Sequence, residues 1–310
     1  MSELQEKVSK SIERLKSFEP PEGYYLAFSG GKESVVLKAL ADLAGVKYHA
    51  VYRLTSVDPP ELVRFIKERH PDVEIDIPRY KDGTQITMWN LIPKKLLPPT
   101  RRVRYCCSEL KETGGDGMMT LTGVRWAESA SRAKNQGQVT VYSKSAGKQF
   151  AGNQDFQTTR KGDIVLVNDN ADSRRLIETC YKRHKTNVNP IIDWTDRDVW
   201  EFIRAYGIPY CSLYEEGWQR IGCIGCPMAS QHGREREFLR WPTYKGTYLK
   251  SFEKMLEVRK SRGKPFTING EKRFDATPQD VFNWWMEYDT IPGQMSLDEL
   301  MEEMENGTED

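Results

Sequence analysis

A segment near the start of the chain has the composition of a phosphate-binding loop. Its sequence, Ser29-Gly30-Gly31-Lys32-Glu33-Ser34, lies between an apolar run and a pattern of helical spacing. Where a strand leads into a helix, backbone N–H groups and the helix dipole point toward a bound anion. Glycines allow close approach and hydroxyls add donors, although the pattern is neither GxxxxGK[ST] nor GxGxxG. We predict a phosphate loop; a tight turn that needs glycine dihedrals is the alternative.

The cysteines indicate a second chemistry. Cys106 and Cys107 are adjacent, while Cys223 and Cys226 form a CxxC motif whose flanking glycines allow a tight turn. Without an export signal, six cysteines favour metal ligation or thiol chemistry over disulfides. Two such pairs can supply four thiolates to one iron–sulfur cluster or one zinc ion. We expect Cys180 and Cys211 to be structural. The alternative that Cys211 replaces one of the adjacent pair as a ligand stays open.

Polar residues follow two further predicted strands. Gly123 and Arg125 end one of them, with Glu128 and Arg132 shortly after, and Thr55, Ser56 and Asp58 end another. The carboxyl ends of parallel strands form the ligand crevice of open sheets, so we predict that Arg125 binds phosphate or sulfate. Thr55 and Asp58 are candidates for contact with ribose or base. For Glu128 and Arg132, an exposed helical ion pair is the alternative.

A basic stretch precedes the cysteine pair. Residues 94–104 contain five basic side chains and no acid. Arg101, Arg102 and Arg104 of this stretch, together with Lys111, could steer a polyanion. We favour the interpretation that they offset the negative charge of a cluster held by four thiolates.

The elements around these residues predict an α/β fold with a doubly wound, mostly parallel sheet and a helical C-terminal region. We predict a leader helix over 1–20, a nucleotide-binding domain with the metal site over 21–230, and a helical region with an acidic tail over 231–310. Within the second part, 134–170 is polar and is interpreted as a loop or small hairpin insertion. Strands are predicted at 24–29, 48–54, 73–77 and 118–124, and helices at 34–43, 60–69 and 197–206, the last preceded by a cap at 193–196.

Composition excludes some classes of protein. The chain has 310 residues, of which 38% are hydrophobic and 29% charged. No apolar run approaches the roughly 18 residues that a membrane helix needs. Because the net charge is +1, no overall field attracts nucleic acid or membranes. We expect a cytoplasmic protein.

Motif order gives a family resemblance. Residues 29–34 resemble the PP-loop of the adenine nucleotide alpha hydrolase superfamily, with Glu33 where the family usually has Asp. The segments YCCSELK (105–111), GVRWAES (123–129), NPIIDWT (189–195) and RIGCIGCP (220–227) follow in an order similar to the phosphoadenosine phosphosulfate (PAPS) reductase family, over about residues 20–245. By this resemblance Cys106, Cys107, Cys223 and Cys226 hold a [4Fe-4S] cluster, and residues 29–34 bind ATP or a sulfated adenosine nucleotide (APS or PAPS).

One departure affects the expected reaction. Assimilatory reductases of this family attack sulfur with a C-terminal cysteine, and no cysteine follows Cys226 here. The family's DNA phosphorothioation sulfurtransferases are therefore the closer analogy. We expect an enzyme that uses ATP and Mg²⁺ to adenylate an acceptor, with Lys32 and Arg125 stabilising the phosphates, followed by sulfur transfer.

The acceptor stays open between nucleic acid and a small molecule, and a sulfur- or electron-donor protein is an expected partner. A sulfonucleotide reductase that releases sulfite, with Cys180 or Cys211 as nucleophile, is the first alternative. A non-catalytic nucleotide-sensing or nucleic-acid-binding subunit is the second.

Overall fold

The computed structural model describes residues 2–115, 117–142, 150, 153–159, 162–167, 173, 177 and 185–287. The chain divides into two compact units built from interleaved segments. The first, termed the sheet unit, comprises Met1–Arg53, Pro60–Asp76 and Thr113–Ile221. The second, termed the cysteine unit, comprises Leu54–Pro59, Ile77–Glu112 and Gly222–Asp310.

The helices and strands alternate through the first part of the chain, as the sequence predicts. The strands are β1 (Tyr24–Ala27), β2 (Tyr48–Arg53), β3 (Glu74–Asp76), β4 (Met119–Leu121), β5 (Val139–Tyr142), β6 (Phe156–Thr158), β7 (Ile164–Leu166), β8 (Lys185–Val188), β9 (Phe266–Ile268) and β10 (Glu271–Arg273). The helices are α1 (Glu3–Ser17), α2 (Lys32–Ala44), α3 (Pro60–Arg69), α4 (Met88–Lys95), α5 (Tyr105–Leu110), α6 (Ala130–Asn135), α7 (Asp196–Ala205), α8 (Gln231–Arg240), α9 (Pro242–Ser261) and α10 (Pro278–Trp285).

An eight-stranded sheet forms the centre of the sheet unit, in the order β3-β2-β1-β4-β8-β5-β7-β6. The five strands from β3 to β8 run parallel, and β5, β7 and β6 add antiparallel. The chain places β2 and β3 on one side of β1, then returns to place β4 and β8 on the other. This order confirms the predicted doubly wound α/β fold, and its reversal lies between β1 and β4, where ligands bind in such sheets.

Helix α1 occupies most of the segment predicted as a leader helix. A capping box at Ser2 starts it. Its buried face is tied to the chain after β8, since the Arg14 guanidinium donates to both carboxylate oxygens of Asp193 at 2.8 and 2.9 Å and to the carbonyl of Pro190. The helix is therefore an integral layer of the sheet unit that supports the segment leading into α7.

The interpretation of residues 134–170 as a loop or small hairpin is partly wrong. The described residues of this segment include β5, β6 and β7, and β5 pairs with β8 along four residues of the main sheet. Val139 and Val141 are buried on one face, an alternation that predicts a strand. The polar residues around them mask this short pattern.

The cysteine unit is mostly helical, which confirms the predicted helical C-terminal region. Helix α9 packs against α4, α8 and α10, and β9 and β10 form a small antiparallel hairpin. Its core is aromatic: the rings of Tyr248 and Trp285 lie 4.7 Å apart, and Phe238 meets Tyr248 edge-on at 5.8 Å. The acidic residues 298–310 lie outside the described residues. Every helix in the described part of the chain is too short or too polar to cross a bilayer.

Candidate functional site

The predicted phosphate loop joins β1 to α2 and depends on glycine. Gly30 has a φ of +72°, and a Cβ there would lie 2.7 Å from Leu62 Cδ1 and 2.8 Å from Ile66 Cδ1. A side chain at this position is thus excluded both by backbone conformation and by α3. Gly31 is the N-cap of α2 and offers no side-chain cap. The N–H of Ser34 donates to the Gly31 carbonyl at 3.0 Å, so the N–H groups of Lys32 and Glu33 are the first-turn donors left for acceptors outside the helix.

The hydroxyls of the loop stabilise its own turn. The Ser34 hydroxyl donates to the carbonyl of Gly31 at 2.9 Å, and the Ser29 hydroxyl lies 3.3 Å from that of Ser34. The N–H of Lys32 donates to the hydroxyl of Tyr214 at 2.9 Å. An acceptor from outside the loop thus takes the backbone donor that a phosphate would use.

The Lys32 side chain is buried, at 6% exposure, and has polar partners. Its ammonium group lies 2.9 Å from the Asp196 carboxylate and donates to the Gln219 carbonyl at 3.1 Å. The same nitrogen lies 5.6 Å from the ring centre of Trp200 and 5.9 Å from that of Tyr214. Such contacts with aromatic rings favour a cation. The polar and aromatic partners hold the Lys32 ammonium group beside the start of α2.

Arg125 brings a second cation to the same place. It follows β4 and is 3% exposed. Its Nη2 atom donates to Glu33 at 2.7 Å and to Asp196 at 2.9 Å, while its Nε atom is buried with no hydrogen-bond partner in the described residues. The structure therefore brings together the two predicted catalytic residues, Lys32 and Arg125, through Asp196.

Gly123 allows β4 and α2 to approach closely. A Cβ at Gly123 would lie 2.8 Å from Cβ of Glu33. After this contact the chain turns, and Glu128 accepts the N–H of Arg125 at 3.1 Å and pairs with Arg132. The helical ion pair given as the alternative for Glu128 and Arg132 is thus present. Glu128 also supports the backbone of Arg125.

The charges around the loop shift the pKa values of several groups. Burial alone would raise the pKa of Asp196, but hydrogen bonds and charge from Lys32 and Arg125 hold it below its usual value. Burial raises the pKa of Tyr214, so its phenol stays neutral. Burial, together with the positive charges of Arg220 and Arg125, lowers the pKa of Arg132. The charges of Arg220 and Arg125 therefore act against that of Arg132, and a nearby anion would relieve this repulsion.

The predicted metal ligands come together in the cysteine unit. Charge on Cys107, Cys223 and Cys226 acts on Cys106, whose pKa is raised by its hydrogen bond with Cys107 and by burial. That hydrogen bond, with the charges of Lys111 and Arg104, lowers the pKa of Cys107. The other three thiols are thus close enough to Cys106 to influence its ionisation.

Two polar groups contact Cys223. Lys111 makes a side-chain hydrogen bond with its sulfur, and the pKa of Lys111 is raised mainly by the negative charge that Cys223 can carry. The hydroxyl of Thr55 lies 3.5 Å from the Cys223 sulfur. Thr55, predicted to touch a nucleotide, is placed here beside a cysteine.

Asp58 is the other predicted nucleotide contact in this unit. Its carboxylate accepts the N–H of Thr55 at 2.7 Å, and both side chains are buried. Asp58 therefore stabilises the turn that carries Thr55. The structure groups these two residues with the cysteines in one unit and Ser29 to Ser34 in the other.

The thiols have protein partners in this structure. Across the described ranges, no group of three or more Cys, His, Asp or Glu side chains is placed to hold one. The thiols are engaged with each other, with Lys111 and with Thr55. Cys211 lies in the sheet unit and is fully buried, and burial raises its pKa, so it fits the structural role predicted for it. Cys180 lies outside the described residues.

Sequence reasoning did not identify Asp196, Trp200 and Tyr214 as parts of the site. The residues 193–196 indicate a helix cap, and the structure confirms that Thr195 is the N-cap of α7. Acids in the first turn of a helix are common because they complement its dipole. Nothing in the local pattern separates Asp196, which reaches Lys32, from an ordinary first-turn acid.

A family model matches most of the chain. The model of the phosphoadenosine phosphosulfate reductase domain matches residues 23–229, which include the loop, Arg125 and all four cysteines. The chain belongs to this family, and its loop fits the PP-loop superfamily. The resemblance deduced from motif order is therefore confirmed.

Individual relatives are distant. An uncharacterized protein of Methanocaldococcus jannaschii is 25% identical over 287 residues, which cover 90% of this chain and 54% of that protein. A phosphoadenosine 5'-phosphosulfate reductase of Xylella fastidiosa is 29% identical over 136 residues, or 44% of this chain and 49% of that enzyme. The chain thus spans about half the length of these relatives. The crystal structure of the PAPS reductase of Candida auris in a phosphate complex covers 72% of this chain and 96% of its own, at 13% identity and a TM-score of 0.38.

Proposed function

We propose that the chain is an enzyme that binds the phosphates of ATP at residues 29–34 and activates an acceptor by adenylation. The observation that carries the proposal is the pair of buried cations, Lys32 and Arg125, at the N-terminus of α2. Fixed cations and helix N–H groups stabilise charge that develops on phosphate oxygens. Family membership supports a nucleotide as the ligand.

The chemistry is a nucleotidyl transfer. An acceptor oxygen attacks the α-phosphorus and forms a P–O bond, while the bond to the bridging oxygen breaks and pyrophosphate leaves with its electron pair. Mg²⁺ and Lys32 offset the charge of the leaving group, and Arg125 neutralises a phosphate oxygen. The acceptor then carries AMP, which a hydrosulfide-equivalent donor displaces as the new bond to sulfur forms.

The cysteine unit adds sulfur chemistry to the proposal. Thiolates are the ligands that iron–sulfur clusters use, and Cys106, Cys107, Cys223 and Cys226 would hold such a cluster. Such a cluster supplies electron or sulfur transfer, or stabilises the fold. The nearby charges of Lys111 and Arg104 would offset the negative charge of four thiolates.

A sulfonucleotide reductase is the second candidate. Stretches related to named reductases favour it, including a 53-residue match at 42% identity to the adenosine 5'-phosphosulfate reductase of Neisseria meningitidis. The chemistry needs an accessible, ionisable thiol as nucleophile. Complete burial and a raised pKa make Cys211 unsuitable for that role.

The test is calorimetric titration of anaerobically purified protein with ATP plus Mg²⁺, APS and PAPS, with iron and sulfide quantified. Tighter binding of ATP, lost in Lys32→Ala and kept in Lys38→Gln two turns along the same helix, is the expected result. Preference for APS or PAPS, with sulfite release, would establish the reductase instead. Tight ATP binding with no release of pyrophosphate from ATP in the presence of any acceptor tried would contradict the enzymatic proposal and leave a sensor or binding subunit.

A further inference from the structure

Residues 196–219 of the sheet unit supply acceptors to the donors at the start of α2, and Glu33 supplies a further one to Arg125 at 2.7 Å. Asp196 accepts from both Lys32 and Arg125. Tyr214 accepts the backbone N–H of Lys32, and the carbonyl of Gln219 accepts from its ammonium group. These are the same donors that the proposed function assigns to phosphate.

The Asp196 carboxylate binds them much as a phosphate group would. One of its oxygens lies 2.9 Å from Lys32 Nζ and 2.9 Å from Arg125 Nη2, so a single anionic oxygen bridges two cations. The Asp196 side chain is 60% exposed, in contrast to 7% for Lys32 and 4% for Arg125. The cations are fixed and buried, whereas the anion stands at the surface, where it can leave without opening the core.

Tyr214 accepts the backbone N–H of Lys32 in a comparable way. Its hydroxyl lies 2.9 Å from the Lys32 nitrogen, and its ring meets Trp200 edge-on at 5.2 Å and 85°. The phenol is a neutral acceptor that competes weakly with a charged phosphate oxygen, because hydrogen bonds to charged acceptors are about twice as strong. A phosphate group can therefore replace it.

Resting on the proposed function, we infer that Asp196 and Tyr214 compete with nucleotide phosphate for the donors of the loop and so determine which ligands enter. A ligand must carry phosphate charge to displace the carboxylate, so the site selects nucleotides against nucleosides. Asp196 keeps Lys32 and Arg125 side by side until that exchange. Asp196 is thus a positioning residue, and its competition with phosphate lowers the affinity of the site for nucleotide.

The experiment is titration of wild type and Asp196→Asn with inorganic pyrophosphate, in EDTA so that no divalent cation takes part. We expect Asp196→Asn to bind pyrophosphate about tenfold more tightly, the scale of two partly exposed ion pairs, and to discriminate less between ATP and adenosine. Glu201→Gln is the matched control. It removes one negative charge from the same helix, and its partner is Arg197 at 3.8 Å, so its affinity should stay within twofold of wild type.

Suppose that wild type binds pyrophosphate and Lys32→Ala does not. Equal or weaker binding of pyrophosphate by Asp196→Asn would then overturn this inference and leave the proposed function standing. Absence of binding by wild type would overturn the proposed function, and the inference with it. The two failures are thus distinguishable.

A second variant tests the backbone donor and does not depend on Asp196→Asn folding. Tyr214→Phe removes only the hydroxyl, and we expect about threefold tighter pyrophosphate binding. The control is Tyr210→Phe, because the ring of Tyr210 neighbours that of Tyr214. This variant should bind pyrophosphate with the affinity of wild type. Weaker binding by Tyr214→Phe would show that the hydroxyl holds phosphate, and would contradict the competition.

Discussion

The predicted phosphate loop (residues 29–34) and the cysteine cluster, the group of thiols formed by Cys106, Cys107, Cys223 and Cys226, differ in how their charges are balanced. At the loop, the cations Lys32 and Arg125 have the carboxylates Glu33 and Asp196 as partners, at ordinary ion-pair distances. At the cluster, four thiols act on one another, and Lys111 and Arg104 stabilise thiolate charge. The first region has charges that an anion can take over. In the second, the hydrogen bond with Cys106 and the charges of Lys111 and Arg104 lower the pKa of Cys107, whereas burial raises the pKa of Cys223.

The comparison also concerns how much backbone constraint each region needs. The loop depends on Gly30 and Gly123, where other side chains have no room. In the CxxC segment, Gly225 has a φ of +75°, and a Cβ there would lie 2.8 Å from Phe238. Both regions thus use glycine to bring a turn against packed side chains. The difference lies in the polar groups that the turn presents.

The largest effect is expected from removing the buried cation of the loop. Arg125→Ala leaves Glu33 and Asp196 without their shared partner, so we expect a loss of about 2 kcal/mol in the free energy of unfolding, below the usual cost for fully buried pairs because Asp196 is exposed. ATP binding should fall about 100-fold, whereas iron content should not change. Urea denaturation and calorimetry measure the two losses. Arg125→Lys should recover much of the stability and little of the binding, because lysine lacks the planar fork of donors.

A change at the cluster should produce the opposite pattern. Cys223→Ser should reduce iron and sulfide per chain by at least half and leave the dissociation constant for ATP within about twofold. The matched control is Cys211→Ser, at a buried cysteine of the sheet unit, which should keep its iron. Equal iron in Cys223→Ser and wild type would remove the cluster from the proposal.

A pair of glycine variants separates backbone strain from crowding. Gly30 and Gly45 both have positive φ, at +72° and +69°, but a Cβ at Gly45 meets nothing within 4 Å. Gly45→Ala should therefore cost about 1 kcal/mol for the left-handed conformation alone, and Gly30→Ala should cost about 2 kcal/mol because α3 must also move. Thermal denaturation measures both. Equal losses would mean that α3 does not constrain the loop.

Sequence reasoning predicted the part of this picture that depends on local patterns. The loop at 29–34, Arg125 and the pairing of cysteines all come from residue types at fixed spacing. The β1, α2 and α3 boundaries agree with the predicted ones to within a few residues. These features are encoded by neighbouring residues, so a single sequence reveals them.

The rest depends on contacts between distant parts of the chain. Asp196 reaches Lys32 across 164 positions and Tyr214 reaches it across 182, and no local pattern encodes such partners. Thr55 was assigned to nucleotide on the general rule for strand ends, and its contact with Cys223 arises from the fold. Within 134–170, β6 and β7 form a hairpin, which was one of the predicted alternatives. The pairing of β5 with β8 in the main sheet was missed because β5 has only four residues and its partner is distant in sequence.

The smallest effect concerns pH. The pKa of Asp196 lies below the ordinary value of 3.8 because Lys32 and Arg125 favour its charged form. The stabilisation is fully present above the unfolded-state pKa and is lost as pH falls through the lower folded-state pKa. Between pH 7 and 5 the wild type and Asp196→Asn should therefore differ by a constant amount, and the difference should shrink only below about pH 4. Urea denaturation at several pH values measures it; a difference that shrinks near pH 6 would contradict the ion pairs.

The most direct measurement of the central claim is a crystal structure of the chain with ATP. The account predicts phosphate oxygens within hydrogen-bond distance of the Lys32 nitrogen, its ammonium group and the Arg125 guanidinium, with the Asp196 carboxylate moved away from both cations. Triphosphate bound elsewhere, with the contacts of Asp196 and Tyr214 to the loop intact, would contradict it.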